Sequence, residues 1–277
     1  MNNILLIKWQ ATKPDRPPHG RGRSMKCIRL VGQAIGFCGL SFALASIAQA
    51  QDPRQIIQEV QKRQHSKSQR YEGTLEVTGG SNRVATKRWT YQRIGEFGNS
   101  KAILRFTAPA EVKGVGLLIV NHPDRASDQW MWRPEIGRDQ RIALQDRSTR
   151  FFGTDFSFED LEERDVDQYD YKLLGEENGA WKIESHPRKS SQYTYSYFWI
   201  KKDNYTFVRV EAYNKKGLVR VIDYKDYEQV KGIWTARLTE VFDMTRNSRT
   251  TLKYDKVDYN LPLSEDEFTL QALRRDL

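Results

Sequence analysis

Alternation between apolar and polar side chains limits what this chain can fold into more than any other feature. Trp89 and Tyr91 alternate with polar neighbours, and so do Leu104 and Phe106. Successive side chains of a β-strand point to opposite faces, so this period predicts strands with one buried face. Turn-forming segments separate these strands at hairpin spacing, at residues 79–82, 95–100, 177–179, 203–204, 214–217, 231–232 and 247–248. The pattern therefore predicts a mainly β fold of consecutive hairpins.

Three of the predicted strands indicate how far the apolar surface extends. Residues 115–120 are apolar on both faces, so we expect both faces to be covered. A second strand carries an aromatic ring at each odd position: Tyr193, Tyr195, Tyr197 and Trp199. In a third strand, Trp234 and Leu238 share one face. A single antiparallel sheet of this length must curl on itself, and its inside is then either a filled core or a cavity.

One short helix is predicted before the strands. Asp52 is a suitable N-cap and Pro53 a suitable first helical residue. Ile56, Ile57 and Val60 follow at helical spacing, and the pattern ends near residue 65. We expect this helix to lie over the mouth of the curved sheet as a lid.

An export signal precedes this helix. Met25 is followed by two basic residues, an uncharged apolar run over residues 30–48, and a small-x-small cleavage site that ends at Ala50. We therefore expect residues 1–50 to be a leader and signal peptide with its true start at Met25, and residues 51–277 to be one exported domain. Glycine and polar residues interrupt the run, which disfavours an uncleaved membrane anchor.

The basic charge lies mostly in this leader. Residues 1–50 hold seven of the 45 basic residues and one of the 36 acidic residues, which leaves 38 and 35, a net charge of +3 for the rest. Charge therefore gives no reason to expect a nucleic-acid partner. Both cysteines, Cys27 and Cys38, also lie in the leader. The exported domain thus cannot form a disulfide, a thiol nucleophile or a cysteine-bound metal site.

Candidate catalytic groups are few and scattered. His65, His122 and His186 are the histidines outside the leader, and no nucleophile-elbow, zinc-protease or phosphate-loop motif is present. We therefore expect no enzyme activity, no cofactor and no metal site. The acidic residues between 155 and 167 have two interpretations, a calcium site or a solvated acidic helix. Their spacing does not match an EF-hand, so the solvated helix is expected.

The longest departure from the hairpin pattern runs from His122 to Leu161. It contains a predicted basic loop at residues 137–142 and then four phenylalanines, Phe151, Phe152, Phe156 and Phe158. One interpretation is a hydrophobic plug, in which Ser157 and Asp160 form the capping box of a short helix. The other is a mobile flap over an apolar ligand whose anionic head group meets three arginines: Arg133, Arg138 and Arg141.

Several stretches resemble a known family. They are Phe106-Thr107-Ala108-Pro109, residues 113–118, Trp130-Met131-Trp132-Arg133-Pro134, Arg141-Ile142, residues 152–161 and residues 263–268. On these motifs the chain resembles the LolA/LolB-like outer-membrane lipoprotein-sorting family, in the branch found with efflux-type inner-membrane permeases. The resemblance covers most of residues 53–272, and residues 152–161 are its most specific part.

The resemblance implies an unclosed antiparallel barrel with an N-terminal helix and short helices as its lid. It also implies a monomeric periplasmic carrier of lipid or lipoprotein acyl chains, with an inner-membrane efflux-type permease as a possible partner. The candidate ligand-lining residues are Trp89, Phe106, Leu117, Ile119, Trp130, Trp132, Tyr195, Tyr197, Trp199, Trp234 and Leu238. The candidate lid residues are Ile56, Ile57, Val60, Phe151, Phe152 and Phe156. The alternative function is a non-enzymatic adaptor in an envelope export complex, with its barrel filled by its own side chains.

Overall fold

The computed structural model describes residues 51–80, 83–163 and 166–275. The predicted leader, its start at Met25 and its cleavage site after Ala50 lie outside these ranges. The described part contains two α-helices, α1 (Pro53–Arg63) and α2 (Leu270–Arg274), and one large sheet.

The sheet is antiparallel and has thirteen strands. They are β1 (Ser68–Thr78), β2 (Val84–Glu96), β3 (Asn99–Ala108), β4 (Gly116–Val120), β5 (Asp128–Arg133), β6 (Arg138–Arg141), β7 (Tyr169–Glu177), β8 (Ala180–Pro187), β9 (Tyr195–Lys201), β10 (Phe207–Asn214), β11 (Gly217–Val230), β12 (Ile233–Asp243) and β13 (Ser248–Tyr259). Their order across the sheet is β6-β5-β4-β3-β2-β1-β13-β12-β11-β10-β9-β8-β7. Strands β6 and β7 are the two edges and do not pair with each other, so the curved sheet is not closed. The predicted mainly β, unclosed fold is confirmed.

The antiparallel pairing places the turns alternately at two ends of the sheet. Thr78, at the end of β1, faces Arg249 near the start of β13. The β1–β2 and β12–β13 turns therefore lie at the same end, which we call the upper end. The connections after β3, β5, β8 and β10 lie there too, and those after β2, β4, β7, β9 and β11 lie at the lower end.

Helix α1 begins where the sequence predicted. The Asp52 carboxylate accepts a hydrogen bond from the backbone N–H of Arg54 at 2.9 Å, as an N-cap does. Ile56, Ile57 and Val60 are fully buried and belong to the same apolar core as the inner face of the sheet. The helix therefore packs into the concave side as part of the core.

The outer face of β3–β5 carries a second, smaller core. Leu118 packs there with Phe268 and Leu273 of the C-terminal segment, while Leu117 and Ile119 point into the inner core. Buried Arg105 donates from Nη2 to the carbonyl oxygens of Ala272 and Leu273 at 2.9 and 3.0 Å, which ties α2 to the sheet. The prediction that both faces of residues 115–120 are covered is confirmed.

The predicted basic loop at residues 137–142 is wrong for most of its length. Arg138–Arg141 forms strand β6, which pairs with β5 from Trp130 to Arg133. Gly137 has a φ of +65°, a conformation that glycine tolerates, and this lets the chain reverse tightly enough to form a hairpin.

Candidate functional site

Residues 147–163, here called the plug segment, put a cluster of phenyl rings against the inner face of the sheet. Phe151 stacks on Phe106 of β3 with centroids 5.6 Å apart, and also contacts Phe158 at 5.7 Å edge to face. Phe152 lies 5.9 Å from Phe106. Phe152 and Gly153 have φ values of +46° and +76°, so the turn that presents these rings uses left-handed backbone at a bulky residue. The rings fill the space between the plug segment and the sheet.

The reciprocal hydrogen bonds predicted between Ser157 and Asp160 are present, although the helix begins one residue later than predicted, with Phe158 at its N-cap. The backbone N–H of Asp160 donates to Ser157 Oγ at 3.3 Å, and the backbone N–H of Ser157 donates to an Asp160 carboxylate oxygen at 2.7 Å. The short helix that follows is a single 3-10 turn, Glu159–Leu161. This local structure turns the chain back along the inside of the sheet.

Buried carboxylates fix the plug segment to strands β11–β13. Asp155 is fully buried, accepts hydrogen bonds from Thr250 Oγ1 at 2.7 Å and Ser248 Oγ at 2.5 Å, and pairs with Arg150. Asp160 pairs with Arg220 of β11. Both contacts cross from the plug segment to strands far away in sequence.

Two further carboxylates fix the other end of the plug segment near the lower end. Glu163 accepts from Arg93 Nε at 2.5 Å and from Ser100 Oγ at 3.0 Å. Glu162 pairs with Arg147. The predicted solvated acidic helix is therefore wrong, because Asp155, Glu159, Asp160, Glu162 and Glu163 are buried. Cationic or polar partners from several strands offset the cost of removing these charges from water.

The centre of this network pairs buried charges. Burial alone would lower the pKa of Arg220, but the charge of Asp160 raises it above its usual value. Burial, and next the charge of Asp160, raise the pKa of Tyr193 well above its usual value. Tyr193 therefore stays neutral and donates to Asp160 at 2.7 Å. The arrangement holds the plug segment in place, and its groups are engaged in structural pairing.

The structure brings some of the candidate residues together and separates others. The inner core contains Trp89, Phe106, Leu117, Ile119, Ile56, Ile57, Val60, Phe151 and Phe156, and Phe152 packs against it. Trp130 and Trp132 instead pack against the outer core beneath the C-terminal segment. The inner set thus combines strand, helix and plug residues around one apolar volume.

The aromatic face of β9 points away from the inner core. Phe198 and Ile200 are the buried residues of this strand, and Tyr195, Tyr197 and Trp199 are half-buried on the opposite face. Tyr195 stacks there on Tyr213 of β10, with centroids 4.7 Å apart. Phe198 and Ile200 therefore face inward, and the larger aromatic rings Tyr195, Tyr197 and Trp199 face outward, an assignment that alternation alone does not make.

Strand β12 shows the same inversion. Thr239 lies opposite Leu252, which is fully buried, so Thr239 faces inward. Leu238 lies opposite exposed Lys253 and therefore faces outward. Trp234 is half-buried and lies outside both core clusters.

The three candidate head-group arginines do not surround the plug segment. Arg133 donates to the Gln140 side chain at 3.1 Å, and Arg138 is exposed at the start of β6. Arg141 donates to Asp128 at 2.5 Å on the outer face, where Arg125 and His122 also contact that carboxylate. These arginines lie along an edge hairpin.

The sequence interpretation missed a tyrosine cluster on the inner face. Tyr71 stacks on Tyr91 at 5.6 Å and meets Tyr254 and Tyr259 edge to face, each at 5.9 Å. Burial is the main cause that raises the pKa of Tyr91 and Tyr254. The sequence signal for this cluster was that Tyr71 and Leu75 share one face of β1, and Leu252 and Tyr254 share one face of β13.

Several polar side-chain atoms are buried without hydrogen-bond partners among the described residues. They include both side-chain amide atoms of Gln61 in α1 and the indole N–H of Trp89 in β2. A groove of about 640 Å³ runs along the adjoining flank of α1, lined by Gln55, Gln58, Glu59, Gln61, Lys62, His65 and Phe97. Phe97 also packs against the inner core, so the groove borders the apolar interior.

Over residues 51–80, 83–163 and 166–275, no helix is both long and apolar enough to cross a membrane. In the same ranges, no group of three or more histidine, cysteine or acidic side chains is placed to hold a metal ion.

Comparison with known proteins places this fold. A family model described as "uncharacterized protein" matches residues 98–275. A crystal structure of an outer membrane lipoprotein-sorting protein domain from Vibrio parahaemolyticus is 25% identical, with a TM-score of 0.76, over 80% of this chain and 98% of that one. A DUF1329 family protein from Desulfovibrio piger is 26% identical, with a TM-score of 0.76, over 79% and 97%. A LolA superfamily protein from Nitrosomonas europaea has the same fold, with 18% identity and a TM-score of 0.62 over 78% and 98%. No curated protein matches the sequence.

Proposed function

Because the chain belongs to the family whose model spans residues 98–275 and has the fold of LolA-like lipoprotein-sorting domains, we propose that it is a periplasmic carrier of acyl chains. The cargo would be a lipid or the lipid group of a lipoprotein, received from an inner-membrane permease of the efflux type and passed toward the outer membrane. The carrier would act as a monomer, without cofactor and without enzyme activity.

One observation supports this proposal: the apolar inner wall is covered by a connecting segment, the plug segment, which a ligand could replace. The wall behind it consists of strand residues such as Trp89, Phe106 and Leu117, and the filling consists of Phe151, Phe152 and Phe158. An acyl chain that replaced these rings would exchange one apolar contact for another. Exposing a sixteen-carbon chain to water costs about 12 kcal/mol, so a carrier needs such an apolar replacement.

The contacts of the plug segment limit which of its rings could be displaced. Phe151 and Phe152 contact the sheet through side-chain packing, and Lys87 Nζ donates to the Phe152 carbonyl. The segment beyond them is held by polar contacts, from Asp155 to Thr250 and from Asp160 to Arg220. Outward movement of Phe151 and Phe152 is therefore the displacement that leaves these polar contacts in place.

The test combines extraction with exchange. Purified protein would be extracted with organic solvent and the extract analysed for lipid by mass spectrometry; a fluorescent fatty-acyl probe would then be titrated into the delipidated protein. The carrier binds the probe, and amide hydrogen exchange of residues 151–158 rises on binding, because the plug segment is displaced. Protein that holds no lipid, binds no probe and shows unchanged exchange would contradict the proposal.

A second candidate function is a fixed adaptor of an envelope export complex. Two observations favour it: the interior is filled by the protein's own side chains, as the adaptor alternative expects, and the plug segment is surrounded by buried ion pairs, which are costly to separate. An adaptor would bind no probe, and pull-down with the permease would survive substitution of Phe151 or Phe152 to Ala.

Export itself is part of the proposal. The leader would be removed after Ala50, so that the protein in a cell-envelope fraction begins at Gln51. N-terminal sequencing of that fraction tests this, and a terminus at Met1 or Met25 would contradict it.

A further inference from the structure

Exposed apolar side chains stand at three turns of the upper end. Val84 at the β1–β2 turn, Ile136 at the β5–β6 turn and Met244 at the β12–β13 turn are 54%, 43% and 52% exposed. In the described part of the chain, only Leu144 and Leu174 are comparably exposed large apolar residues. A single exposed apolar side chain is ordinary. Here three of five are gathered at one end of the sheet.

The same end carries unpaired positive charge. Seven basic residues in or beside its connections form no ion pair with any described residue: Arg83, Lys113, Arg138, Lys189, Lys215, Lys216 and Arg246. The acidic residues within these connections are Glu111 and Glu135. The turns of the upper end are therefore strongly net positive.

The lower end differs in charge pairing. The cations of its connections each have an acidic partner: Arg125 with Asp128, Lys202 with Glu176, and Lys231 with Asp258. By the same count, in or beside the connections, the lower end has two exposed cations without an ion pair to a described residue, Lys67 and Lys201, against seven at the upper end.

We propose that the upper end docks on the surface of a bilayer that contains anionic phospholipid. Lysines and arginines near such a surface are attracted to its phosphates, and apolar side chains at turn tips can enter the boundary between head groups and acyl chains. The apolar residues lie at separate turns around a curved rim. A flat, fluid surface can contact separated points, whereas a protein partner needs one contiguous complementary patch.

The position of the plug segment gives this docking a consequence. Lys87, close to the upper start of β2, donates to the Phe152 carbonyl at 2.7 Å. Docking would therefore bring the phenyl cluster near the lipid surface. The docking surface rests on the turns alone, however, and holds whether or not the interior carries an acyl chain.

Vesicle sedimentation tests the proposal with the purified protein. Vesicles of mixed phosphatidylglycerol and phosphatidylcholine are expected to bind it and pure phosphatidylcholine vesicles are not, and binding should weaken as salt is raised. Lys215→Glu with Lys216→Glu should weaken binding at least about thirtyfold, because that is the effect of losing two lysine contacts at an anionic surface and the two new carboxylates are repelled by it. Ile136→Ser with Met244→Ser should also weaken it, even at low salt. Because all four substituted residues lie in exposed turns, neither variant should change the melting temperature.

The matched control reverses two exposed, unpaired cations of the lower end, Lys67→Glu with Lys201→Glu. This variant has the same net charge as the upper-end variant and should bind like the wild type. Equal weakening by both variants would show that net charge alone drives binding and would overturn the proposal. Absence of binding to anionic vesicles would overturn the proposal. So would binding to soluble polyglutamate that is as strong as vesicle binding and is not weakened by Ile136→Ser with Met244→Ser, because that result indicates an acidic protein partner.

Discussion

Phe151 stacks on Phe106 with ring centroids 5.6 Å apart and ring planes inclined by 18°. Phe106 belongs to a strand, and Phe151 belongs to the plug segment that crosses the inside of the sheet. The contact joins strand β3 to the plug segment, which is a connection between strands and not part of the sheet. In a LolA-like fold, this is the place where an apolar ligand and the protein's own side chains would compete.

Truncating the wall at this contact should both destabilise the protein and open space inside it. Phe106→Ala removes a fully buried ring, and we expect a loss of about 3–5 kcal/mol in unfolding free energy. Phe242→Ala is the matched control, because Phe242 is half-buried on the outer face, and it should cost much less. Urea denaturation measures both. Equal losses would mean that the inner contact has no special role.

A buried ion pair should show strong coupling. Asp160→Asn leaves Arg220 buried without its counter-charge, which we expect to cost about 3–5 kcal/mol. Adding Arg220→Met to Asp160→Asn should recover part of that loss, so a double-mutant cycle should give a large interaction energy. Asp170→Asn, which breaks the exposed pair with Arg188, should change stability little. Additive effects of Asp160→Asn and Arg220→Met would contradict a coupled, buried ion pair between these two residues.

Alternation of apolar residues was enough to predict the sheet and its hairpins. The lack of closure was implied by the family resemblance. It was not enough to assign faces. In β9, both faces are aromatic or apolar, so the pattern allows either face inward. Packing favours Phe198 and Ile200 inside, because burying Tyr195 and Tyr197 would require partners for their hydroxyl groups.

The acidic run shows a second reason for error. A row of carboxylates near residues 155–163 predicts a solvated surface, because unpaired charges are rarely buried. Two of their partners, Arg147 and Arg150, lie in the plug segment itself, and the other two, Arg93 and Arg220, come from strands β2 and β11. Sequence alone does not show which arginines pair with these carboxylates. The plug could therefore be proposed from the sequence, but the ion pairs that hold it could not.

Acid should weaken the outer face around Asp128. The hydrogen bond from Arg125 lowers the pKa of Asp128 well below its usual range, burial opposes this, and bonds from Arg141 and His122 add to the lowering. A carboxyl with a lowered folded-state pKa stabilises the fold above its unfolded pKa of about 4, and this contribution is lost as pH falls further. Unfolding free energy should therefore decrease below about pH 4. Asp128→Asn should reduce that decrease, and Asp124→Asn, an exposed neighbour, should leave it unchanged.

The outer core should depend on the absence of a side chain at residue 116. A Cβ added to Gly116 would lie 2.8 Å from Leu273 Cδ1 and 3.4 Å from the Leu104 carbonyl oxygen, so the buried Leu273 side chain, or α2 with it, would have to shift. We expect Gly116→Ala to cost about 1–3 kcal/mol through this overpacking. Gly79→Ala is the matched control, because nothing lies within 4 Å of a Cβ there, and it should be nearly neutral.

Leu273→Ala is destabilising by itself, since Leu273 is fully buried, but in the Gly116→Ala background it removes the clashing atom. The combined loss should therefore be smaller than the sum of the two single losses. Additive losses in thermal or urea unfolding would show that Gly116 is not required for docking of the C-terminal segment.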